Sequence, residues 1–74
     1  MSLEQADCGE WVTIVALHLP ENSLKRLSAV GIFPGSLLRV IDNALSGVTR
    51  VECRGTRLAL GRELPKRIEI QQSF

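Results

Sequence analysis

The chain has 74 residues, 45% hydrophobic but only 4% aromatic, with a formal net charge of +1. A length near the lower limit for a core without staples fits one domain over residues 1–74, with its core expected between Leu3 and Gln71, and the aliphatic composition argues against a large aromatic-lined ligand pocket. So small a charge excludes nucleic-acid or anionic-lipid binding driven by a general electrostatic field.

The charge is unevenly placed. Residues 1–37 carry two cations against four carboxylates, and residues 38–74 carry seven against four. Solvated strand faces account for this, and steering of an acidic protein partner is the functional alternative. The first ten residues contain Glu4, Asp7 and Glu10 and lack the basic start and apolar stretch of a signal peptide. No apolar run approaches the roughly 20 residues that span a bilayer. A soluble, cytoplasmic protein without membrane insertion is therefore expected. Cys8 and Cys53 stand in no CxxC or CxxH context, so reduced thiols are expected rather than a disulfide or a zinc knuckle.

In chain order, Gly9 to Leu17 is rich in β-branched residues and bounded by Gly9 and Pro20, which marks a first strand. Trp11, Thr13, Val15 and Leu17 share one face and Val12, Ile14 and Ala16 share the other; one of the two is expected to meet the barrel interior and the second to be half covered by a helix. Asn22 and Ser23 supply N-cap chemistry for a two-turn helix from Leu24 to Val30, whose apolar positions Leu24, Leu27, Ala29 and Val30 form one stripe. Gly31 fits the left-handed position that closes a helix end, and Phe33-Pro34-Gly35-Ser36 has the Pro-Gly order of a type II turn.

A second strand is expected over Ser36 to Asp42, a turn over Asn43 to Gly47, and a third strand over Thr49 to Arg54. Gly55-Thr56 then turns tightly into a fourth strand, Arg57 to Leu60, with Leu58 and Leu60 inward. Gly61 and Pro65 bracket a connecting turn before a last strand, Arg67 to Gln71, with Ile68 and Ile70 inward. Gln72 to Phe74 reads as a frayed tail, with Phe74 able to fold back. Five short strands in so few residues must curl over their own core. The fold class is mainly β, a small SH3-like five-stranded barrel with one short α-helix.

Leu3-Glu4-Gln5-Ala6-Asp7-Cys8-Gly9-Glu10, the Leu24 to Gly35 segment, Arg54-Gly55-Thr56-Arg57-Leu58-Ala59-Leu60 and Ile68-Glu69-Ile70 together resemble the ferrous iron transport protein A (FeoA) family. The order and spacing of these pieces carry the resemblance, which extends from about Leu3 to Ile70. It implies a barrel similar to the C-terminal domain of iron-dependent repressors. It also implies a cytosolic accessory of the ferrous iron permease, a membrane protein with a cytoplasmic GTP-binding domain. Three segments depart from the family pattern. Asn43-Ala44-Leu45-Ser46-Gly47-Val48 lacks the prolines of the usual loop and is expected to be more flexible. Leu37 replaces a polar outward residue, and Leu64-Pro65 replaces an acidic residue followed by Ala.

Catalytic chemistry has no support in the sequence. There is no Ser-His-Asp order, phosphate loop or HExxH, and the carboxylates are scattered among cations. A non-enzymatic protein is expected. Too few aromatics accompany Arg50, Arg54 and Arg57 for single-stranded nucleic-acid recognition, so no nucleic-acid partner is expected. Leu37, Ile41 and Leu45 are read as an exposed apolar strip beside Arg39, a docking surface for the permease's cytoplasmic domain. The competing reading has the helix or a second barrel covering these residues. Cys53 is read as a small buried hydrophobe. No closed ligand set is present, so no tightly bound cofactor is expected. The alternative function is a module that binds a transition metal directly, with weak Fe²⁺ or Zn²⁺ binding at an intersubunit site combining Cys8, His18 and a carboxylate. Exposed strand edges permit weak self-association.

Overall fold

The computed structural model describes residues 1–43, 47–61 and 63–73. A single 3-10 turn, Leu3–Gln5, leads into β1 (Trp11–Leu17), α1 (Glu21–Ala29), β2 (Leu37–Asn43), β3 (Thr49–Cys53) and β4 (Thr56–Leu60). A one-turn helix α2 (Leu64–Arg67) then precedes β5 (Ile68–Gln72). The strands form one antiparallel sheet in the order β4-β3-β2-β1-β5. Principal extents of 28 × 25 × 23 Å suit a sheet curled around its own core rather than a flat one. The fold is the SH3-like, mainly β architecture expected from the sequence, although the pairings leave β4 and β5 as sheet edges.

Alternation builds the core. Val12 and Ile14 of β1, Leu38 and Val40 of β2, Val51 and Cys53 of β3, Leu60 of β4, and Ile68 and Ile70 of β5 are all buried. Leu58 packs against them from the edge strand. Leu27 of α1 and Ile32 close one side, and Leu3 and Ala6 of the N-terminal turn are buried in the same cluster.

Two irregularities change the face assignments expected of the strands. The β1–β5 register shifts between Ile14 and Ala16, leaving Val15 exposed, setting Ala16 opposite the exposed Glu69 and Leu17 opposite the buried Ile68. Leu17 therefore packs on the core, and Ala16 does not continue the inward row. The β2–β3 register shifts between Val40 and Asp42, so that Ile41 is the extra residue of a bulge. The outward face of β1 is not covered by the helix: Trp11 and Val15 are exposed.

Helix α1 starts earlier than the side-chain cap chemistry suggested. Pro20 occupies the N-cap, its carbonyl accepts from Leu24 N at 3.0 Å, and Asn22 and Ser23 lie within the first turn. A proline N-cap needs no donor of its own, and Asn22 Oδ1 accepts instead from Ser23 N. Of the apolar stripe, only Leu27 is buried; Leu24 is half-buried, and Ala29 and Val30 are exposed. At the other end Gly31 has φ +91°, Gly31 N donates to Ser28 O at 3.0 Å, and Ile32 N donates to Leu27 O at 2.8 Å. Those two bonds define a Schellman closure.

Ser36 N donates to Phe33 O at 2.9 Å and Gly35 has φ +95°, which makes Phe33-Pro34-Gly35-Ser36 a type II turn. Ser36, itself buried, ties this turn to the helix end: Oγ donates to Gly31 O at 2.7 Å and accepts from Phe33 N at 3.1 Å. The β3–β4 hairpin turns on Arg54 and Gly55, with φ +52° and +82°, one residue earlier than Gly55-Thr56. Positive φ at both central positions gives the turn twist that suits a two-residue hairpin.

Three further segments differ from the expectation. The Gly61–Pro65 connection includes the start of helix α2, with Pro65 buried in its first turn, where a missing amide hydrogen costs nothing. The C-terminal segment is not frayed through residue 73, because Gln72 pairs with Val12 and Ser73 N donates to Trp11 O at 3.1 Å. Asn43 belongs to β2 rather than to a turn. Its Nδ2 donates to Ala6 O at 2.6 Å, its Oδ1 accepts from Thr49 Oγ1, and it thereby latches the N-terminal turn to the sheet. The expected behaviour of the loop around Leu45 and the fold-back of Phe74 fall outside the described residues.

Candidate functional site

The outward face of the sheet carries a row that crosses four strands. Trp11 stands opposite Arg39, Arg39 opposite Glu52, and Glu52 opposite Arg57. Leu37 lies opposite Thr13 on the same outward face. The opposite face supplies the core. On the outward face Trp11 is 41% exposed, Leu37 43% and nearby Phe33 37%.

The two turns complete the surface. Phe33 opens the type II turn after α1, and Arg54 begins the β3–β4 turn. The Arg54 guanidinium carbon lies 5.7 Å from the Phe33 ring centroid, and that of Arg39 lies 6.0 Å from the Trp11 ring. Each is a cation–π contact worth about 0.5–1 kcal/mol at an exposed position. Between them lies a depression of about 460 Å³ lined by Trp11, Phe33, Leu37, Glu52 and Arg54, with Gly35, Ser36 and Gly55 at its margin.

Electrostatics leave this depression cationic at its rim. Glu52 Oε2 pairs with Arg57 Nε at 3.4 Å, and Asp42 pairs with Arg50. The hydrogen bond to Asp42, then its charge, holds the Arg50 guanidinium above its ordinary range, although Arg50 is exposed. Among the described residues Arg39 and Arg54 take part in no ion pair, so both keep their charge available beside an aromatic ring.

The residues singled out in the sequence are distributed as follows. Leu37 lines the depression and Arg39 flanks it. Ile41 does not continue that strip: the bulge carries it to a separate hollow with Arg50, Arg57, Leu58 and Ala59. Leu45 lies outside the described residues. Trp11, Phe33 and Arg54 were not among the predicted docking residues. Strand alternation put Trp11 and Val12 on opposite faces without telling which is outward, while the Phe33–Arg54 contact joins turns 21 residues apart in sequence and has no local signal.

Cys8 is exposed, with its thiol hydrogen-bonded to Ile41 O at 2.7 Å. His18 Nε2 lies 3.3 Å from Glu69 Oε1, in a shallow hollow with Met1, Ser2, Lys66 and Ile68. Cys8 precedes and His18 follows the seven-residue β1, a strand length of about 23 Å at roughly 3.3 Å per residue. One chain therefore does not bring the two together on one ion. Among the described residues no group of three or more His, Cys, Asp or Glu is arranged to hold a metal. No helix among them is long and apolar enough to cross a membrane.

Solved structures share this architecture. The FeoA protein of Chlorobium tepidum superposes with a TM-score of 0.89 at 22% identity, covering 97% of this chain and 70% of that one. The FeoA-like protein of Clostridium acetobutylicum gives 0.82 at 16% identity, covering 100% and 87%. ScaR with bound Cd²⁺ gives 0.85 at 19% identity, covering 97% of this chain but 35% of that protein. Identities this low speak to the fold alone. No curated relative matches the chain. The model of the FeoA domain matches residues 1–72, nearly the full length, and the chain belongs to the FeoA family.

Proposed function

We propose that this chain is a small cytoplasmic accessory protein of ferrous iron uptake, which binds the cytoplasmic part of the ferrous iron permease and modulates it. Family membership supports the role in ferrous iron transport. The observation that carries the docking mode is the outward cluster of Trp11, Phe33 and Leu37, each more than one-third exposed and flanked by Arg39 and Arg54. Exposed apolar groups gathered at one place mark interaction surfaces, and Trp and Arg are the residue types that dominate interface energetics. Concavity adds to this, since the depression can receive a side chain of the partner.

Retention of the permease's cytoplasmic domain on immobilised wild type and Leu37→Asp tests the reading. Placing a carboxylate among the apolar lining residues should lower retention at least about tenfold, the effect of losing roughly 1.4 kcal/mol. Equal retention by both proteins would remove this face from the mechanism. The rival function, direct sensing of Fe²⁺, is separated by anaerobic titration of the reduced protein. Stoichiometric binding that disappears in His18→Ala or Cys8→Ser would favour the sensor, and a flat titration would favour the accessory role.

A further inference from the structure

We infer that the segment received by the Trp11–Phe33–Leu37 depression is an acidic stretch of polypeptide bearing a large apolar side chain. This rests on the docking reading above and deepens it by naming the chemistry of the occupant. Trp11, Phe33 and Leu37 give the depression its apolar lining, and one side chain of leucine or phenylalanine size fits within about 460 Å³. The rim supplies the charge selection. Arg39 and Arg54 sit on either side, over the Trp11 and Phe33 rings, and neither is engaged by a carboxylate among the described residues.

The nearest anion, Glu52, faces Arg57 as its own partner at 3.4 Å and so does little to neutralise the rim. A carboxylate arriving from outside would find two guanidinium groups already ordered against aromatic faces, which lowers the entropy lost on pairing. An apolar residue between two acidic ones would seat in the depression while its neighbours reach Arg39 and Arg54.

A membrane surface would meet the same residue types differently. Lipid insertion needs apolar groups that protrude beyond their surroundings, whereas Leu37 and the two rings line a hollow that also holds Glu52. A concave site suits an inserted side chain of a polypeptide better than a flat layer of anionic headgroups.

The test uses the full chain and two synthetic ten-residue peptides, one with Leu-Phe set among Asp and Glu, the other with Lys in place of every acid. Fluorescence anisotropy is measured for wild type and for the double variant Arg39→Glu/Arg54→Glu. Wild type should bind the acidic peptide and lose affinity as salt is raised, since charges at a surface are screened over about 8–10 Å. The double variant should lose at least about tenfold in affinity for the acidic peptide and gain binding to the Lys peptide, an exchange of preference that damage to the fold cannot produce.

Equal binding of both peptides by wild type, or an unchanged preference in the double variant, would overturn the inference. Wild-type binding to phosphatidylserine vesicles in preference to the acidic peptide would overturn it in favour of a membrane. Retention of the permease domain separates the two levels of the claim. Loss with Leu37→Asp but not with Arg39→Glu/Arg54→Glu keeps the docking face and removes its acidic selectivity, whereas no loss with either variant removes the docking face itself.

Discussion

Replacing Gly31 by alanine isolates the backbone cost of the helix end that leads into the Phe33 turn. Gly31 carries φ +91° and closes α1 through Gly31 N to Ser28 O and Ile32 N to Leu27 O. An added Cβ would meet Arg54 Cδ at 3.7 Å and Cys53 Sγ at 3.8 Å, both ordinary contacts, so steric overlap contributes nothing. What remains is the left-handed conformation, which costs an L-residue roughly 1–2 kcal/mol. Gly61 provides the internal comparison, because it has no positive φ and nothing within 4 Å of its ideal Cβ. Alanine there should be neutral or stabilise by up to about 1 kcal/mol through a less disordered unfolded chain. Urea unfolding followed by far-UV circular dichroism should therefore show midpoints moving in opposite directions. With a slope near 1 kcal/mol per molar urea for a domain this small, the two variants should differ by about 1–3 M. Thermal midpoints should separate in the same sense, by about 4–8 °C per kcal/mol. Two variants shifting together, or Gly31→Ala matching wild type, would refute the assignment of Gly31 as a conformational requirement.

Leu38→Ala removes a fully buried side chain from the middle of the sheet and should cost about 2–5 kcal/mol, a large part of the roughly 4–11 kcal/mol available to a chain of this size; chemical denaturation measures it. Asn43→Ala unfastens Ala6 O and Thr49 Oγ1 from their shared partner and should cost about 1–3 kcal/mol. Amide exchange should then speed up in residues 2–6 before the rest of the sheet, and uniform acceleration would count against the latch. Leu37→Asp should leave stability within about 0.5 kcal/mol of wild type by the same unfolding assay, because Leu37 is 43% exposed. A large loss of stability would mean that Leu37 supports the fold rather than a partner.

Most of the fold could be read from local chemistry. Alternation set Leu38 and Val40 apart from the outward Leu37, Arg39 and Ile41, and marked Val51, Ile68 and Ile70 as inward; all five of these apolar residues are buried, while in β1 it separated Val12 and Ile14 from Trp11 and Val15 without saying which face is the core. Pro34-Gly35 specified its turn because both residues restrict the backbone in complementary ways. The errors arose where a nonlocal pairing decided the outcome. Bulges at Val15 and Ile41 are set by register against β5 and β3, and they reassign Leu17 and Ile41 without any change in the sequence pattern of β1 or β2. Asn43 looked like a turn residue because its chemistry suits turns, yet its partners come from residues 37 positions earlier and 6 later. Arg54 occupies a left-handed position that sequence rules reserve for Asn, Asp or Gly, which displaced the hairpin by one residue.

The proposed docking face was half legible for a related reason. A strand pattern tells which side chains point away from the core, and it placed Leu37 and Arg39 there, but it cannot say what else shares their surroundings. Only the superposition of two turns brings Phe33 and Arg54 beside Trp11 and Leu37. That assembly also shows how charge and apolar surface are combined on such a face. Arginine stems are apolar and their heads remain hydrated, so Arg39 and Arg54 shield part of each ring while keeping charge at the surface. Self-association through this face would bring those like charges together, whereas an acidic partner would neutralise them. On the proposed docking mode, the same two residues would disfavour a second copy of the chain and favour a partner of opposite charge, so that the arginines, more than the apolar residues between them, would set selectivity.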